Sequence, residues 1–178
     1  MRWHGALLAA VLLLVTFTAQ AETKAVIDAR VNDALEIFAK ESPAGLELVD
    51  KAAGVLVFPR VMKAGFGIGG EYGEGSLLIK GKPVAYYSTA GASFGLQLGA
   101  QFKSQMILFM TQAELRKFRR SKGWEAGVDG SVAIAKLGAG GQIDTATAKQ
   151  PIIGFIFSNK GLMYNLTLEG SKFTEIER

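Results

Sequence analysis

A chain of 178 residues, 49% of them hydrophobic and 20% charged, carries enough apolar material for one well-buried core, and its formal charge of +4 is too small to mark a nucleic-acid binder. It contains no cysteine and a single histidine, His4. That composition excludes a disulfide framework, thiolate chemistry and zinc or copper sites built on Cys and His.

The opening 21 residues, MRWHGALLAAVLLLVTFTAQA, read as a secretory leader. Arg2 and His4 make a basic start, residues 6–15 an apolar run short for a membrane span, and Ala19-Gln20-Ala21 a small-x-small cleavage site. An uncleaved anchor is the alternative. No cysteine stands at the cleavage site, so a lipid-modified N-terminus of the bacterial lipoprotein kind is excluded. Cleavage near Ala21 leaves residues 22–178, expected to form one domain, periplasmic or secreted. Arg2 departs with the leader, so 19 of the 20 basic residues remain against 16 acidic ones. His4 departs too, and with it Ser-His-Asp and Cys-His catalysis and the usual base near neutral pH. An enzyme is not expected, nor a cofactor or metal.

Residues 23–40 place Ile27, Val31, Ala34, Leu35 and Phe38 at helical spacing, which predicts an amphipathic helix before Pro43. A shorter helix is expected over residues 45–54, closed by Gly54. The period then changes. VLVFPRV, SLLI, VAYYST, SFGLQL, SQMILFM, SVAIAK, IIGFIF and MYNLTL are short apolar or alternating runs, the pattern of an antiparallel meander, with Ser158-Asn159-Lys160-Gly161 as a hairpin turn. One helix interrupts them at residues 111–122, opened by the capping box Thr111-x-x-Glu114 and stopped at Gly123.

Gly65, Gly67 and Gly70 match G-x-G-x-x-G, but a dinucleotide loop must open a helix, and Glu-Tyr-Gly-Glu-Gly cannot. Parity explains the glycines better. Gly65, Gly67, Gly69, Gly73 and Gly75 share one face of a strand and Phe66, Ile68 and Tyr72 the other, and Gly91, Gly95 and Gly99 repeat the arrangement. A bare face serves tight packing and strong curvature, or lines a groove for an acyl chain. Glu71 and Glu74, the nearest thing to a catalytic pair, are expected on opposite faces of a continuing strand. Tyr86 and Tyr87 should divide between core and surface.

The succession KAAGVLVFPRVMKAGFGIGGEYGEGSLLI, SFGLQLGAQ, GVDGSVAIA and IFSNKGLMYNLTLEGS resembles the SYLF domain, from about Leu46 to near the C-terminus. The resemblance implies membrane-lipid binding without catalysis, with phosphoinositides and actin as partners of some eukaryotic members. Lys82-Pro83-Val84-Ala85-Tyr86-Tyr87-Ser88 departs from the Trp-Ser-x-Pro segment frequent in that family. The basic N-terminal helix that binds lipid in some members is also missing: residues 22–41 hold Lys24, Arg30 and Lys40 against five carboxylates. That helix is expected to give its apolar face to the core.

The dense basic cluster lies elsewhere, at Arg116, Lys117, Arg119, Arg120 and Lys122, beside Phe118 and Trp124. With Leu115 and Phe118 turned inward, the cations and a headgroup-level Trp124 form the candidate lipid-binding site; an ordinary solvated face with Trp124 in the core is the alternative. The expected fold class is α+β, with N-terminal helices packed on a curved, glycine-rich antiparallel sheet or partial barrel and one inserted helix. The expected partner is anionic phospholipid or a membrane surface, or a lipid held at the glycine-faced sheet. A structural or interaction module of the cell envelope, with a protein or peptidoglycan partner, is the alternative. Nucleic acid is not expected, and neither is actin.

Overall fold

The computed structural model describes residues 21–136, 141–158, 161–162 and 167–178, so the leader expected before Ala21 lies outside the described residues. The predicted first helix is α1, Lys24–Glu41, with Thr23 as its N-cap. Its stripe of Ile27, Val31, Ala34 and Phe38 is buried, the core role expected for this face. Ser42 links two helices: its N–H donates to the Phe38 carbonyl at 2.8 Å, and its Oγ accepts from the Gly45 N–H at 3.1 Å to open α2, Pro43–Lys51. Proline suits the first position of α2, where its missing N–H has no helical partner to lose. Gly54 caps nothing; it opens the first strand.

That strand, β1 (Gly54–Ile79), and the next, β2 (Lys82–Phe109), form one antiparallel ribbon, paired from Ile79↔Lys82 to Gly54↔Phe109. Lys80 and Gly81, both with positive φ (51° and 72°), make the two-residue turn whose twist matches a hairpin. Five runs expected as separate strands are therefore segments of two, because the intervening glycines stay extended. Pro59, which has no N–H for the ladder, sits in a bulge where the register shifts between Phe58 and Val61.

After β2 come α3 (Gln112–Arg120), β3 (Trp124–Glu125), β4 (Ala133–Ile134), α4 (Thr145–Ala148), β5 (Ile152–Ser158), β6 (Gly161–Leu162) and β7 (Lys172–Ile176). β5 pairs with the last part of β2, from Ser104↔Phe157 to Phe109↔Ile152; β7 pairs with its first part, from Tyr86↔Ile176 to Ala90↔Lys172. One long strand thus serves both halves of the sheet, which curls into a half-barrel. The class is α+β, as expected, and the third helix is inserted midway. The sheet is mixed rather than wholly antiparallel, since β4 runs parallel to β5 at Ala133↔Ile153. Ser158 and Gly161 pair around the expected turn, but Asn159 and Lys160, and residues 163–166 of the MYNLTL run, lie outside the described residues.

Strand parity sorts two cores onto opposite faces. Val55, Val57, Leu78, Tyr86, Met106, Leu108, Ile153, Phe155 and Phe157 meet α1 on the outer face. Leu56, Phe58, Leu77, Tyr87, Ile107, Phe109, Ile152, Ile156 and Phe173 fill the inner face. Tyr86 and Tyr87 do take opposite faces, but both faces are covered, so both tyrosines are buried and neither is the surface residue expected.

The glycine face of β1 is filled by β1 itself. The strand doubles back between Gly65 and Gly69: a Cβ on Gly73 would lie 2.7 Å from the Arg60 carbonyl oxygen, and one on Gly75 would lie 2.8 Å from the Val57 carbonyl carbon. Packing at backbone contact is the use these glycines have. Holding a lipid there, the other expectation for this face, fails at Gly69, Gly73 and Gly75 because the chain's own backbone occupies the space.

Candidate functional site

α3 is built as its sequence suggests. Thr111 Oγ accepts from the Glu114 N–H at 3.2 Å, the predicted cap, and Ser121 ends the helix with its N–H on the Phe118 carbonyl. The helix stops at Arg120, before Gly123. That glycine has φ +140°, and a Cβ there would lie 2.8 Å from Lys172 Cε; it leads the chain into β3.

Leu115 and Phe118, one turn apart, anchor α3 on the inner core, as expected. The Phe118 ring lies 4.6 Å from Phe109, 4.9 Å from Tyr87 and 5.9 Å from Trp124, centroid to centroid. This anchorage turns Arg116, Lys117, Arg119 and Arg120 outward, and Lys122 is exposed just beyond the cap. Lys117 Nζ donates to the Asp129 carbonyl at 2.7 Å. The three ion pairs among the described residues are Arg30–Glu22, Lys103–Glu71 and Arg178–Glu74, and none draws on the α3 cluster. Three of the cations sit in the last turn, where the helix dipole also favours positive charge.

Trp124 does not belong to this surface. It is 1% exposed, wedged between Phe118, Phe109 and Phe173, so the expectation that it reaches headgroup level is corrected. Headgroup-level and core positions were both open to Trp124, and the aromatic surroundings that β7 supplies through Phe173 hold it in the core.

Glu71 and Glu74 point away from each other, as a continuing strand requires. Glu71 meets Lys103 at 2.8 Å in a pair with both side chains 8% exposed, and accepts from Ser171 Oγ at 3.3 Å. Glu74 accepts from Tyr72 Oη at 2.9 Å and pairs with Arg178. Burial, with Glu74 nearby, pushes the Tyr72 hydroxyl up to about 12. No cluster of His, Cys, Asp or Glu able to hold a metal occurs among the described residues, and no helix among them is long and apolar enough to cross a membrane.

A second surface escaped the sequence. Met62 and Phe102 are register partners, and with Tyr72 and Ile68 they stand exposed near the fold of β1. The Arg60 guanidinium lies 3.9 Å above the Phe102 ring. A recess of about 380 Å³ opens among Arg60, Met62, Tyr72 and Phe102, and Ala21 and Glu22 line its edge. The parity of Ile68 and Tyr72 was readable; the proximity of Met62, Phe102 and Tyr72 depends on a register and a fold-back that a single sequence does not display.

A half-barrel that holds Glu22, Glu71 and Glu74 in ion pairs and leaves the cations of α3 facing solvent has the build of an interaction module. The chain belongs to the Ysc84 family, described as Las17-binding protein actin regulator, whose model matches residues 90–178, half of the chain. This agrees with the SYLF resemblance, and the matched half contains all five cations of the α3 cluster. The β1 glycines precede it. No curated protein matches the chain. The family description names actin regulation, so the expectation against an actin partner has no support from the family and rests on export alone.

Proposed function

We propose that this chain is an exported, noncatalytic lipid-binding protein of the cell envelope that docks on anionic phospholipid through the outward face of α3. The observation that carries the reading is α3 itself: Leu115 and Phe118 fix the helix to the core while Arg116, Lys117, Arg119, Arg120 and Lys122 face solvent. Each cation near an anionic bilayer contributes on the order of 1 kcal/mol, so the group suffices for reversible docking. Family membership supports a lipid-binding or actin-related interaction module.

Sedimentation of the mature protein with neutral and anionic phospholipid vesicles, at low and high salt, tests the reading. Binding should favour anionic vesicles, and salt should weaken it steeply. Charge reversal at Arg119 and Arg120 should remove the salt-dependent part; if that part survives reversal, the assignment to α3 is wrong. The second reading, a protein partner, is favoured by the family description. It predicts no vesicle binding and one dominant crosslinked protein in cells, with actin co-sedimentation as the arm that tests the named partner class. Export predicts that the protein recovered from the envelope begins at Glu22.

A further inference from the structure

We infer that the exposed apolar surface at the fold of β1 is a second lipid-docking site, which inserts Ile68 and its neighbours into the interface of a bilayer. The inference rests on the lipid-binding reading but assigns part of that binding to residues away from α3. Ile68 is 73% exposed, and Met62, Tyr72 and Phe102 are each nearly half exposed. Four large apolar side chains left exposed near one fold exceed the scattered single exposures usual for a monomer. The outer face of the same sheet shows the contrast: where α1 lies over it, Val55, Val57 and Leu78 are buried, whereas Met62, Tyr72 and Phe102 are exposed.

Three further observations commit the surface to lipid. Met62, Tyr72 and Phe102, with Arg60 above the Phe102 ring, combine apolar and aromatic side chains with a cation in a recess that Glu22, Glu74 and Arg178 also line, the mixture suited to the depth of lipid headgroups. Glu22, Glu71 and Glu74 are each held in an ion pair, with Arg30, Lys103 and Arg178, so these three do not stand as free negative charges against an anionic surface, while Asp33 shares a neighbouring recess with the Arg60 cation and Phe102. Finally, the chain enters at this spot: Ala21 and Glu22 line the recess, and the residues before them carry the apolar run of residues 6–15. On the export reading, that run holds the precursor at a bilayer, which brings the bare surface to lipid before cleavage.

The site is separate from α3. Leu115 lies over Gly54, where the β1–β2 ribbon ends at Gly54↔Phe109, whereas Ile68 pairs with Phe94 midway along the ribbon, beside the fold. The physical basis also differs, since burial of apolar surface does not weaken with salt as ion attraction does.

The experiment places a tryptophan at the tip. Ile68→Trp is mixed with anionic phospholipid vesicles carrying brominated acyl chains, at low and at high salt, with the wild-type Trp124 as the buried reference. The tip tryptophan should be quenched at both salt concentrations while Trp124 is not, and Ile68→Asp should lower the salt-resistant vesicle affinity about tenfold. Arg119→Glu with Arg120→Glu should leave the salt-resistant binding intact. Because the side chain at position 68 is exposed, these variants should keep the wild-type melting temperature, which is checked first. If vesicles bind at low salt but the tip tryptophan stays unquenched, this inference falls and docking through α3 stands. If vesicles do not bind at any salt concentration, both fall.

Discussion

Gly75→Ala isolates the closest self-contact in the fold. The new methyl would lie 2.8 Å from the Val57 carbonyl carbon and 2.9 Å from Phe58 Cα, with the Val57 carbonyl oxygen nearer still. Carbon atoms rest at about 3.5–4.0 Å, so the two arms of β1 must part by more than half an ångström, roughly, and no flexible side chain is present to absorb the shift. Leu77 and Phe58, which meet in the inner core across this approach, separate with them. Overpacking of this kind costs about 3 kcal/mol, a large part of the ~5–15 kcal/mol that holds a typical domain together. Gly70→Ala is the control: its methyl would find only the Gly91 carbonyl oxygen, at 3.7 Å, and stability should stay level or rise by about 0.5 kcal/mol as a strand glycine is replaced. Urea unfolding of the mature protein reads both. With a slope of about 1–3 kcal/mol per molar, Gly75→Ala should lower the midpoint by roughly 1–3 M. Equal midpoints for the two variants would refute the doubled-back packing and reopen the glycine face as a groove.

The buried pair gives a second test: Lys103→Met strands Glu71 without its cation and should cost about 3–5 kcal/mol, most of which Glu71→Leu in the same chain should restore. A double variant no more stable than the single would show that the pair is not what the burial suggests. Trp124→Ala should cost about 3–5 kcal/mol, and emission from the intact residue should be blue-shifted and indifferent to vesicles; a freely quenched tryptophan would contradict its place in the core. Burial pushes Tyr86 and Tyr87 from the ordinary 10 up to about 12, assisted by the bond from Tyr86 to Asp28 and by Glu175 near Tyr87. The unfolded chain therefore loses these protons first as pH rises, so their stabilising contribution is complete below pH 10 and disappears as pH climbs through about 12. Urea midpoints measured across that window should fall, and by less in Tyr86→Phe; a flat profile would count against the burial of both hydroxyls.

The helices were legible because their signals are local: Thr23, Ser42 and Thr111 are side chains that cap the turn following them, and the stripes of α1 and α3 repeat at the helical period. The outward cations of α3 followed from the same period once Leu115 and Phe118 were placed inside. Strand number was not legible, since Gly65 to Gly75 look alike whether a chain turns or stays extended and bends. β7 was also hidden. Its KFTEI segment has one buried apolar anchor, Phe173, and its other reason to be a strand is the edge of β2 between Tyr86 and Ala90. The fate of Trp124 and the grouping of Met62, Phe102 and Tyr72 share that origin in contacts between distant segments.

The two-residue turn at Lys80-Gly81 also bears on the order in which the molecule assembles. Pairing can begin at Ile79 and Lys82 and close outward, each step joining residues that the previous step has already brought near, until Gly54 reaches Phe109. β7 has no such route, for Tyr86 must wait for Ile176 across about half the chain. Phe173, which that strand carries, stacks on Phe58 and packs at a tilt against Trp124. A chain delivered N-terminus first can therefore zip its central ribbon early, yet its aromatic interior stays unsealed until β7 arrives.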